Sequence, residues 1–409
     1  MVPNTNSADS GTSPGPLADL RVLELGIMLA GPFCGQLLAD FGAQVIKVEQ
    51  PEGGDPMRAY GPARHQGKAI WWNLCARNKK SVTLNLREPE GQELVKALVA
   101  ECDIVLENFR PGTLERWGLD YGTLSTINPG IILVRVSGFG QTGPYAKRPG
   151  YAAVGEAMGG LRYLVGEPDR VPSRTGTSLG DTLAGAQAAF GALLAVHHRT
   201  RTGRGQVVDA SIYESVLTMM ESLIPDFQLA GHIRERSGSL LPKVAPSNVY
   251  PTRDEKLLII AANQDTVFPR LANAMERPEL AEKDRYGLHE KRGEGQAELD
   301  ALIGAWTREH DLADLERILE EHAVPFGTLF RAPEMLADPH YQAREAIVRL
   351  PMHDGTEIAM QNVFPKLSES PGQVRSVGPE LGAHTDEVFG ELLGLDPRRL
   401  EELREKGVI

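Results

Sequence analysis

The sequence has 409 residues, of which 41% are hydrophobic and 24% are charged, and its formal net charge is −12 at pH 7. This composition is typical of a folded soluble protein and excludes a disordered or fibrous chain. At roughly 150 residues per domain, the length predicts two or three domains with substantial cores. The acidic balance disfavours nucleic acid and anionic membranes as partners, because both bind a net basic face.

The N-terminal segment and the cysteines indicate a cytoplasmic protein. Residues 1–16 are polar, lack the basic and apolar blocks of a signal peptide, and are predicted to form a disordered tail. Cys34, Cys75 and Cys102 are spaced for neither a disulfide framework nor a CxxC metal site. No apolar run approaches the roughly 18 residues that a membrane span needs.

Residues 17–228 alternate between strand and helix patterns and are predicted to form the larger domain. The predicted strands have the sequences LRVLELG, AQVIKVEQP, SVTLNL, DIVLENF and IILVRVSGFG. Such alternation predicts an α/β fold with an open, mostly parallel, Rossmann-like sheet covered by helices. Unbroken apolar runs such as IILV are typical of strands that are buried on both faces.

The second half of the chain is predicted to contain a smaller domain. A long, nearly wholly buried helix over residues 181–202 comes first, and its small residues allow close packing. Residues 229–246 have the composition of a polar linker, and residues 247–345 predict a smaller α+β domain. We expect the tail, residues 346–409, to return to the large domain.

The glycines after the first predicted strand do not form a familiar phosphate-binding motif. Gly26, Gly31 and Gly35 are spaced GxxxxGxxxG, whereas dinucleotide-binding proteins carry GxGxxG. A P-loop is excluded because Pro32 stands where its lysine is required. The ten histidines show no metal-ligand spacing, so we predict no metal site.

One short region is strongly basic within this acidic protein. From Met57 to Arg87 the chain carries seven basic residues and no acidic residue. The basic residues are Arg58, Arg64, Lys68, Arg77, Lys79, Lys80 and Arg87. A solvated surface loop and a site for a polyphosphate ligand explain this basic run equally well.

Asp181 lies in the segment RTGTSLGDTLAG, next to or inside the first turn of a predicted helix. A carboxylate at this position caps a helix by accepting hydrogen bonds from unpaired N–H groups, and this role requires no catalytic function. The alternative is a nucleophilic carboxylate that forms an acyl intermediate. The residue pattern alone leaves both interpretations open.

A series of longer segments occurs in order over residues 18–216. They are VLELGIMLAGPFCGQLLADFGAQVIKVEQPEGGDPMR, RNKKSVTLNL, ENFRPGTLERWGLDY, VSGFGQTGP, RPGY, GTSLGDTLAG and HRTRTGRGQVVDASIYES. With them the sequence resembles the class III CoA-transferase family, which includes formyl-CoA transferase, carnitine CoA-transferase and acyl-CoA racemases. The resemblance implies that residues 17–228 form a CoA-binding domain.

The resemblance also implies which residues act on the substrate. It makes Asp181 the catalytic nucleophile, with Gly180, Tyr151 and Leu29 around the acyl group and its oxyanion. Further residues are implied to bind CoA. They are Met28, Ala30, Arg58, Leu84, Asn108, Phe109, Arg116 and Lys147. Coenzyme A or acyl-CoA is the implied substrate, no metal is required, and the implied assembly is an interlocked homodimer or a pair with a paralogous subunit.

The implied reaction moves CoA from an acyl-CoA thioester to a carboxylic acid through an aspartyl anhydride and an aspartyl-CoA thioester. Relatives that racemise 2-methylacyl-CoA carry a His directly after the RPG-like turn, where this sequence has Tyr151. This difference favours transferase over racemase or epimerase, because half of the proton-transfer pair is missing. A catalytically silent CoA-binding subunit of a heteromeric transferase is the second alternative.

Four basic residues bear on which carboxylic acids serve as the CoA donor and acceptor. Arg148, Arg162, Arg174 and Lys243 could bind a second carboxylate, which favours succinyl-CoA as donor and a dicarboxylate as acceptor. Their other interpretation is that they are ordinary surface cations.

Overall fold

A computed structural model describes residues 15–409. The predicted disordered tail, residues 1–16, lies outside this described part except for its last two residues. The chain divides into two compact units. The first unit comprises the residues up to Leu161 together with 176–221 and 342–409, and the second comprises 162–175 and 222–341.

Most elements belong to the first unit. Its strands are β1 (Arg21–Glu24), β2 (Gln44–Glu49), β3 (Arg64–His65), β4 (Lys68–Ala69), β5 (Lys79–Thr83), β6 (Ile104–Glu107), β7 (Ile132–Ser137), β8 (Val207–Ser211), β12 (Ile347–Pro351) and β13 (Glu357–Gln361). Its helices are α1 (Ala30–Asp40), α2 (Ile70–Cys75), α3 (Pro89–Ala100), α4 (Thr113–Arg116), α5 (Tyr121–Ile127), α6 (Ala152–Met158), α8 (Leu179–Thr202), α9 (Ile212–Leu217) and α17 (Pro397–Glu405). A 3-10 helix at Pro56–Ala59 and a π-helix at Glu387–Leu392 complete it.

The second unit contains β9 (Ser247–Pro251), β10 (Leu257–Ala261) and β11 (Phe326–Thr328). Its helices are α10 (Leu223–Ala230), α11 (Phe268–Ala274), α12 (His289–Glu294), α13 (Gln296–Thr307), α14 (Leu312–Glu321) and α15 (Ala332–Ala337), with a 3-10 helix at Pro278–Ala281. Two short helices, α7 (Leu161–Leu164) and α16 (Pro339–Ala343), cross the boundaries between the units along the chain.

The main sheet is parallel and has the strand order β5-β2-β1-β6-β7-β8. β1 lies between β2 and β6, so that Val22 pairs with both Val45 and Ile104. The predicted α/β fold with an open parallel sheet is therefore confirmed. β8 was not predicted, because this edge strand is partly exposed and contains Asp209, so its apolar pattern is interrupted.

Both faces of the sheet are buried, as the apolar runs predicted. Leu23, Val105 and Leu133 belong to one core cluster, and their chain neighbours Val22, Ile104 and Ile132 belong to another. The first cluster also contains Phe389 and Leu403 from the C-terminal segment, whereas the second contains side chains of α1 and α8. Successive residues of a strand point to opposite faces, so a sheet covered on both sides needs apolar residues without alternation.

The prediction that α8 is nearly wholly buried is wrong for the single chain. Five of its six alanines, including Ala184 and Ala188, are buried, but Phe190 and Leu194 on the opposite face are 59% and 54% exposed. The helix ends at Thr202 because Gly203 takes a left-handed conformation, with φ of 71°. By length and composition alone α8 could also span a membrane, a test that core helices of soluble proteins pass as well.

The second unit is a smaller α+β body. β9 and β10 form an antiparallel pair, and β11 completes the sheet in the order β11-β10-β9. Residues 162–175 and 222–246, which the sequence analysis assigns to the large domain or the linker, belong to this unit. These two segments pack together, since the Gly238 amide donates to the Gly166 carbonyl at 3.1 Å.

Candidate active site

The strand order creates a switch point between β1 and β6. From β1 the chain continues to β2 on one side, and from β6 it continues to β7 on the other. In open parallel sheets, ligands bind beyond the carboxyl ends of the strands at such a point. Gly26 closely follows β1 and Asn108 directly follows β6, so both residues lie at this edge.

The Asn108 side chain clamps the turn that follows β1. Its Oδ1 accepts a hydrogen bond from the Ile27 amide at 2.8 Å, and its Nδ2 donates to the Ile27 carbonyl at 2.8 Å. Glycine is needed beside it, because a Cβ on Gly26 would lie 3.0 Å from Asn108 Oδ1 and one on Gly31 would lie 3.2 Å from Asn108 Cγ. The segment from Gly26 to Ala30, called here the β1–α1 turn, is thereby fixed to the end of β6.

Met28, in the middle of the β1–α1 turn, has a left-handed backbone with φ of 64°. This conformation is unfavourable for a residue with a side chain and persists only where the surroundings impose it. The Met28 amide donates to Asp55 Oδ1 at 3.2 Å, and the preceding Gly26 carbonyl accepts from Lys47 Nζ at 2.9 Å. Hydrogen bonds on both sides of the strained residue therefore hold it in place.

Buried charges support these contacts. Lys47 Nζ lies 2.7 Å from Asp55 Oδ2 and 3.1 Å from Glu24 Oε1, and Lys79 Nζ lies 2.8 Å from Glu24 Oε2. Burial alone would lower the pKa of Lys47, but the charges of Asp55 and Glu24 raise it above its usual value. Burial likewise opposes ionisation of Asp55, yet the charge of Lys47 and its hydrogen bond hold the pKa of Asp55 below its usual value.

Asp181 lies in the first turn of α8 and is partly exposed. The residue before it, Gly180, is buried, and its amide donates to Glu156 Oε1 at 3.1 Å. Ser178, at the N-cap position, makes no side-chain capping hydrogen bond. The N-terminal end of a helix stabilises negative charge, which suits a carboxylate at position 181.

α8 packs against the start of α1 at Gly185. A Cβ on Gly185 would lie 2.6 Å from the Ala30 carbonyl oxygen and 3.0 Å from Phe33 Cδ1, so glycine permits this approach. Asp181 stands four residues before Gly185, which is about one helical turn. The packing therefore brings the turn of Asp181 close to the predicted CoA-binding residues at the start of α1.

Most cations of the basic run form ion pairs within the protein. Within the described part of the chain, five of its seven cations form ion pairs with carboxylates. The pairs are Arg58–Glu49, Lys68–Glu380, Arg77–Asp40, Lys79–Glu24 and Lys80–Glu387. Arg77 and Lys79 are buried with their partners, whereas Lys68 is 71% exposed, so the five cations do not share one environment.

Arg58, a predicted CoA ligand, is held in three ways. Its Nε and Nη2 each lie 2.7 Å from the Glu49 carboxylate, Nη2 also donates to the Pro379 carbonyl at 3.1 Å, and the guanidinium stacks on Trp72 at 3.9 Å. Binding of a phosphate by Arg58 stays a prediction, and the guanidinium that would do so is already oriented.

The other predicted residues lie on several elements. Leu84 is fully buried after β5, and the Phe109 ring packs edge-on against Trp117 at 5.3 Å. Arg116 ends α4 and donates to Thr113 Oγ1 at 3.0 Å, and Lys147 is exposed. The contacts of these residues with CoA stay predictions.

Tyr151 and Leu29 are the remaining predicted substrate residues. Tyr151 precedes α6 and is 75% exposed, whereas Leu29 is buried at the start of α1. Their contacts with the acyl group stay predictions. As for metals, none of the residues from 15 to 409 form a group of three or more His, Cys, Asp or Glu side chains that could hold an ion.

Sequence reasoning missed three residues of this site, Glu156, Lys47 and Asp55. Glu156 is the single acidic residue in the helical segment AAVGEAMGG, and Lys47 is the single basic residue in the strand VIKVE. An isolated charge within an apolar element is the signal that could have indicated both, because such a charge requires a buried partner.

Comparison with known proteins identifies the family. The family model described as CoA-transferase family III matches residues 17–385. The chain belongs to this family. The predicted class III CoA-transferase activity is thereby confirmed, with acyl-CoA as substrate.

Several relatives resemble this CoA-transferase over nearly its whole length. The succinyl-CoA–D-citramalate CoA-transferase of Chloroflexus aurantiacus is 58% identical over 97% of this chain and 98% of its own. The beta subunit of succinyl-CoA–L-malate CoA-transferase from the same organism is 43% identical over 98% of this chain and 100% of its own. Among solved structures, a CAIB/BAIF family protein from Brucella suis has a TM-score of 0.83 and 36% identity, covering 92% of this chain and 99% of its own.

Proposed function

We propose that this CoA-transferase moves CoA from succinyl-CoA to a dicarboxylic acid, with D-citramalate as the first acceptor to examine. The 58% identity to a succinyl-CoA–D-citramalate CoA-transferase over 97% of the chain supports this choice. The mechanism rests on one structural observation. Asp181 lies in the first turn of α8, one helical turn before the contact between Gly185 and Ala30.

In the proposed first half-reaction, an Asp181 carboxylate oxygen attacks the thioester carbonyl of succinyl-CoA. The C–S bond breaks, which gives a mixed anhydride and the CoA thiolate. The thiolate then attacks the aspartyl carbonyl of the anhydride, releases succinate and leaves an aspartyl-CoA thioester. Each step exchanges one acyl bond for another, so no oxidant, metal or water is consumed.

The second half-reaction reverses this order with the acceptor. Its carboxylate attacks the aspartyl thioester and releases CoA thiolate, which then attacks the acceptor's acyl carbon and frees Asp181. Each tetrahedral intermediate needs hydrogen-bond donors for its oxyanion. The contact of Gly180 with the acyl group stays a prediction, and its amide is already bonded to Glu156 Oε1 at 3.1 Å.

The assembly proposed for this enzyme is a cytoplasmic homodimer. In the first unit, Phe190 and Leu194 expose a contiguous apolar face of α8. In the second unit, Ile224, Phe227 and Leu229 of α10 are likewise exposed. Apolar side chains in such density on a helix surface support association with another chain. A paralogous partner is the alternative, because relatives of this chain include alpha and beta subunits.

Trapping the aspartyl intermediate tests the nucleophile. Wild-type protein and Asp181→Ala are incubated with succinyl-CoA, treated with hydroxylamine or borohydride, and mapped by mass spectrometry. We expect an adduct on Asp181 in the wild type, none in the variant, and a loss of turnover of at least about 1,000-fold.

The matched control is Asp314→Asn, which changes an aspartate at the equivalent position of the first turn of α14. It should leave turnover unchanged. An Asp181→Ala enzyme that keeps transferring CoA would remove Asp181 from the mechanism and return it to the role of a helix cap.

Acceptor competition tests the substrates. D-citramalate, L-malate, itaconate and a monocarboxylate such as acetate are compared as acceptors from succinyl-CoA. Faster transfer to acetate than to the dicarboxylates would contradict the dicarboxylate assignment. Solvent deuterium at the α-carbon of a 2-methylacyl-CoA, gained without any acceptor acid, would instead support the racemase alternative.

A further inference from the structure

We propose that Glu156 is a positioning residue for the nucleophile, acting through the amide of Gly180. This inference rests on the proposed role of Asp181. Glu156 belongs to α6, it is only 1% exposed, and its Oε1 accepts the hydrogen bond from Gly180 at 3.1 Å. Gly180 directly precedes Asp181, so the bond constrains the Leu179–Gly180 peptide, one residue before the nucleophile.

The start of α8 requires such an acceptor. The first amides of a helix have no partner within the helix and are normally bonded by a side chain at the N-cap position. Ser178 makes no side-chain capping bond. Glu156 therefore supplies from α6 what a local cap supplies in most helices, and it thereby ties the first turn of α8 to a second helix.

Gly180 is shaped for this contact. A Cβ there would lie 3.0 Å from Glu156 Cγ, 3.2 Å from the Ala152 carbonyl oxygen and 3.2 Å from Ile212 Cγ2. Each of these separations is tighter than ordinary packing allows. A side chain at position 180 would require these neighbours in α6 and α9 to move by a few tenths of an ångström, so glycine suits the close approach of the amide to the glutamate.

The helix that carries Glu156 is itself firmly seated. A Cβ on Gly155 would lie 2.4 Å from Ile212 Cγ2, and one on Gly159 would lie 2.6 Å from Val216 Cγ1. Glycines on both sides of Glu156 therefore allow α6 to pack directly against α9. A continuous path of packed groups leads from α9 through α6 and Glu156 to Gly180, and a rigid support of this kind is what a precisely placed catalytic group needs.

Burying a carboxyl group to cap a helix is energetically unfavourable, because the group is removed from water. Its presence here points to a function in the reaction. A serine, threonine or aspartate at position 178 would cap α8 without removing a charged group from water. What the glutamate adds is a connection between two helices. Because a shift of about 1 Å in a reacting group can cost about 100-fold in rate, this connection bears on turnover more than on substrate binding.

Three substitutions of Glu156 distinguish the contribution of its hydrogen bond from those of its charge and its side-chain volume. Glu156→Gln keeps an acceptor oxygen and the shape, Glu156→Met keeps the volume without the acceptor, and Glu156→Asp withdraws the acceptor by one methylene. We expect Gln to retain kcat within about 3-fold of the wild type, whereas Met and Asp lower kcat about 10- to 100-fold. KM for succinyl-CoA should change less than about 3-fold.

The decisive measurement is the rate at which the trapped Asp181 adduct forms in a single turnover. The amount of adduct at each time is divided by its final yield, so that only folded active sites contribute. A merely structural role would lower the yield or Tm of the Met and Asp variants and leave this rate unchanged, which would overturn the inference. Equal losses in the Gln and Met variants would also overturn it, because the charge would then matter rather than the hydrogen bond.

Asp181→Ala is measured in parallel to keep this inference separate from the proposed mechanism. If Asp181→Ala still transfers CoA, the proposed nucleophile fails whatever Glu156 does, and the positioning role fails with it. If Asp181→Ala is inactive while the Met and Asp variants form adduct at the wild-type rate, the positioning role alone fails.

Discussion

Asp55 connects the strained backbone of Met28 to the buried Lys47, and one substitution tests this connection. In Asp55→Asn the amide oxygen can still accept from Met28, but Lys47 loses one of its two carboxylate partners. Removing one partner of a buried ion pair leaves uncompensated charge, so we expect the free energy of unfolding at pH 7 to fall by about 3 kcal/mol. Urea denaturation of both proteins measures the difference.

The difference should also depend on pH. Because the pKa of Asp55 is held below its usual value of 3.8, its contribution to stability is complete above pH 3.8 and is lost as the pH falls further. The difference in free energy of unfolding between wild type and Asp55→Asn should therefore be constant from pH 7 to pH 5 and smaller at pH 3. A difference in free energy of unfolding of the same size at pH 3 and pH 7 would show that folding does not stabilise the charged form of Asp55.

Single residues were only partly predictable from the sequence. Asp181 could be singled out, but its pattern fits a cap as well as a nucleophile, and only the family resemblance favoured the nucleophile. Lys47 and Asp55 could not be assigned, because Lys47 meets Glu24 across 23 residues and Asp55 meets Met28 across 27. Such contacts depend on which strands become neighbours.

At the level of elements, the packing of α8 on α1 depends on Gly185. In Gly185→Ala the new Cβ would collide with the backbone carbonyl of Ala30, which cannot rotate away as a side chain could. We expect the free energy of unfolding to fall by about 2 kcal/mol and turnover to fall with it, because the β1–α1 turn is displaced. Chemical denaturation and steady-state kinetics measure the two effects.

Gly304→Ala is the control for helix propensity. Its Cβ would lie 3.3 Å from the end of the Arg308 side chain and in ordinary contact with Tyr250 Cδ1 at 3.8 Å. Alanine favours a helix over glycine by roughly 1 kcal/mol. This variant should be as stable as the wild type or more so, with unchanged turnover. If Gly185→Ala behaves in the same way, the close approach of α8 and α1 is not required.

Elements were predicted best where the apolar pattern was strongest. Five strands of the main sheet lie in apolar or alternating segments and were predicted, whereas β8, which is partly exposed and contains Asp209, was missed. The basic run shows the opposite limit. Its charge was evident from the sequence, but the ion-pair partners of its cations were not. Acids such as Glu380 and Glu387 lie about 300 residues away.

For the whole molecule, the exposed face of α8 predicts a dimer that a charge should disrupt. Phe190→Asp combined with Leu194→Asp places two carboxylates on this face, where association would have to bury them. We expect sedimentation velocity to give a dimer for the wild type and a monomer or an aggregate for the double variant.

Ala97→Asp adds a charge at an exposed position of a different helix, α3, and serves as the control. It should remain dimeric. A monomeric wild type with full activity would contradict the proposed assembly, and a stable complex with a paralogous chain would replace it with the heteromeric alternative.

The division of the chain into units was the least predictable feature at this scale. Periodicity distinguishes a strand from a helix, but it carries no information about which distant segments share a core. Residues 162–175 illustrate this limit, since they follow α6 in sequence and yet pack with residues near Gly238 in the second unit.

The first unit is synthesised in separate segments, because segments of the second unit lie between them in the sequence. The second unit is complete once Tyr341 has been synthesised, while Phe389 and Leu403, which close one core of the main sheet, have not yet been made. Until then Leu23 and Val105 lack part of their cover, and exposed apolar strands of this kind are what chaperones bind and what aggregates form from. The unit that begins first is thus finished last, because one core of its main sheet closes only after residues 389–403 have been made.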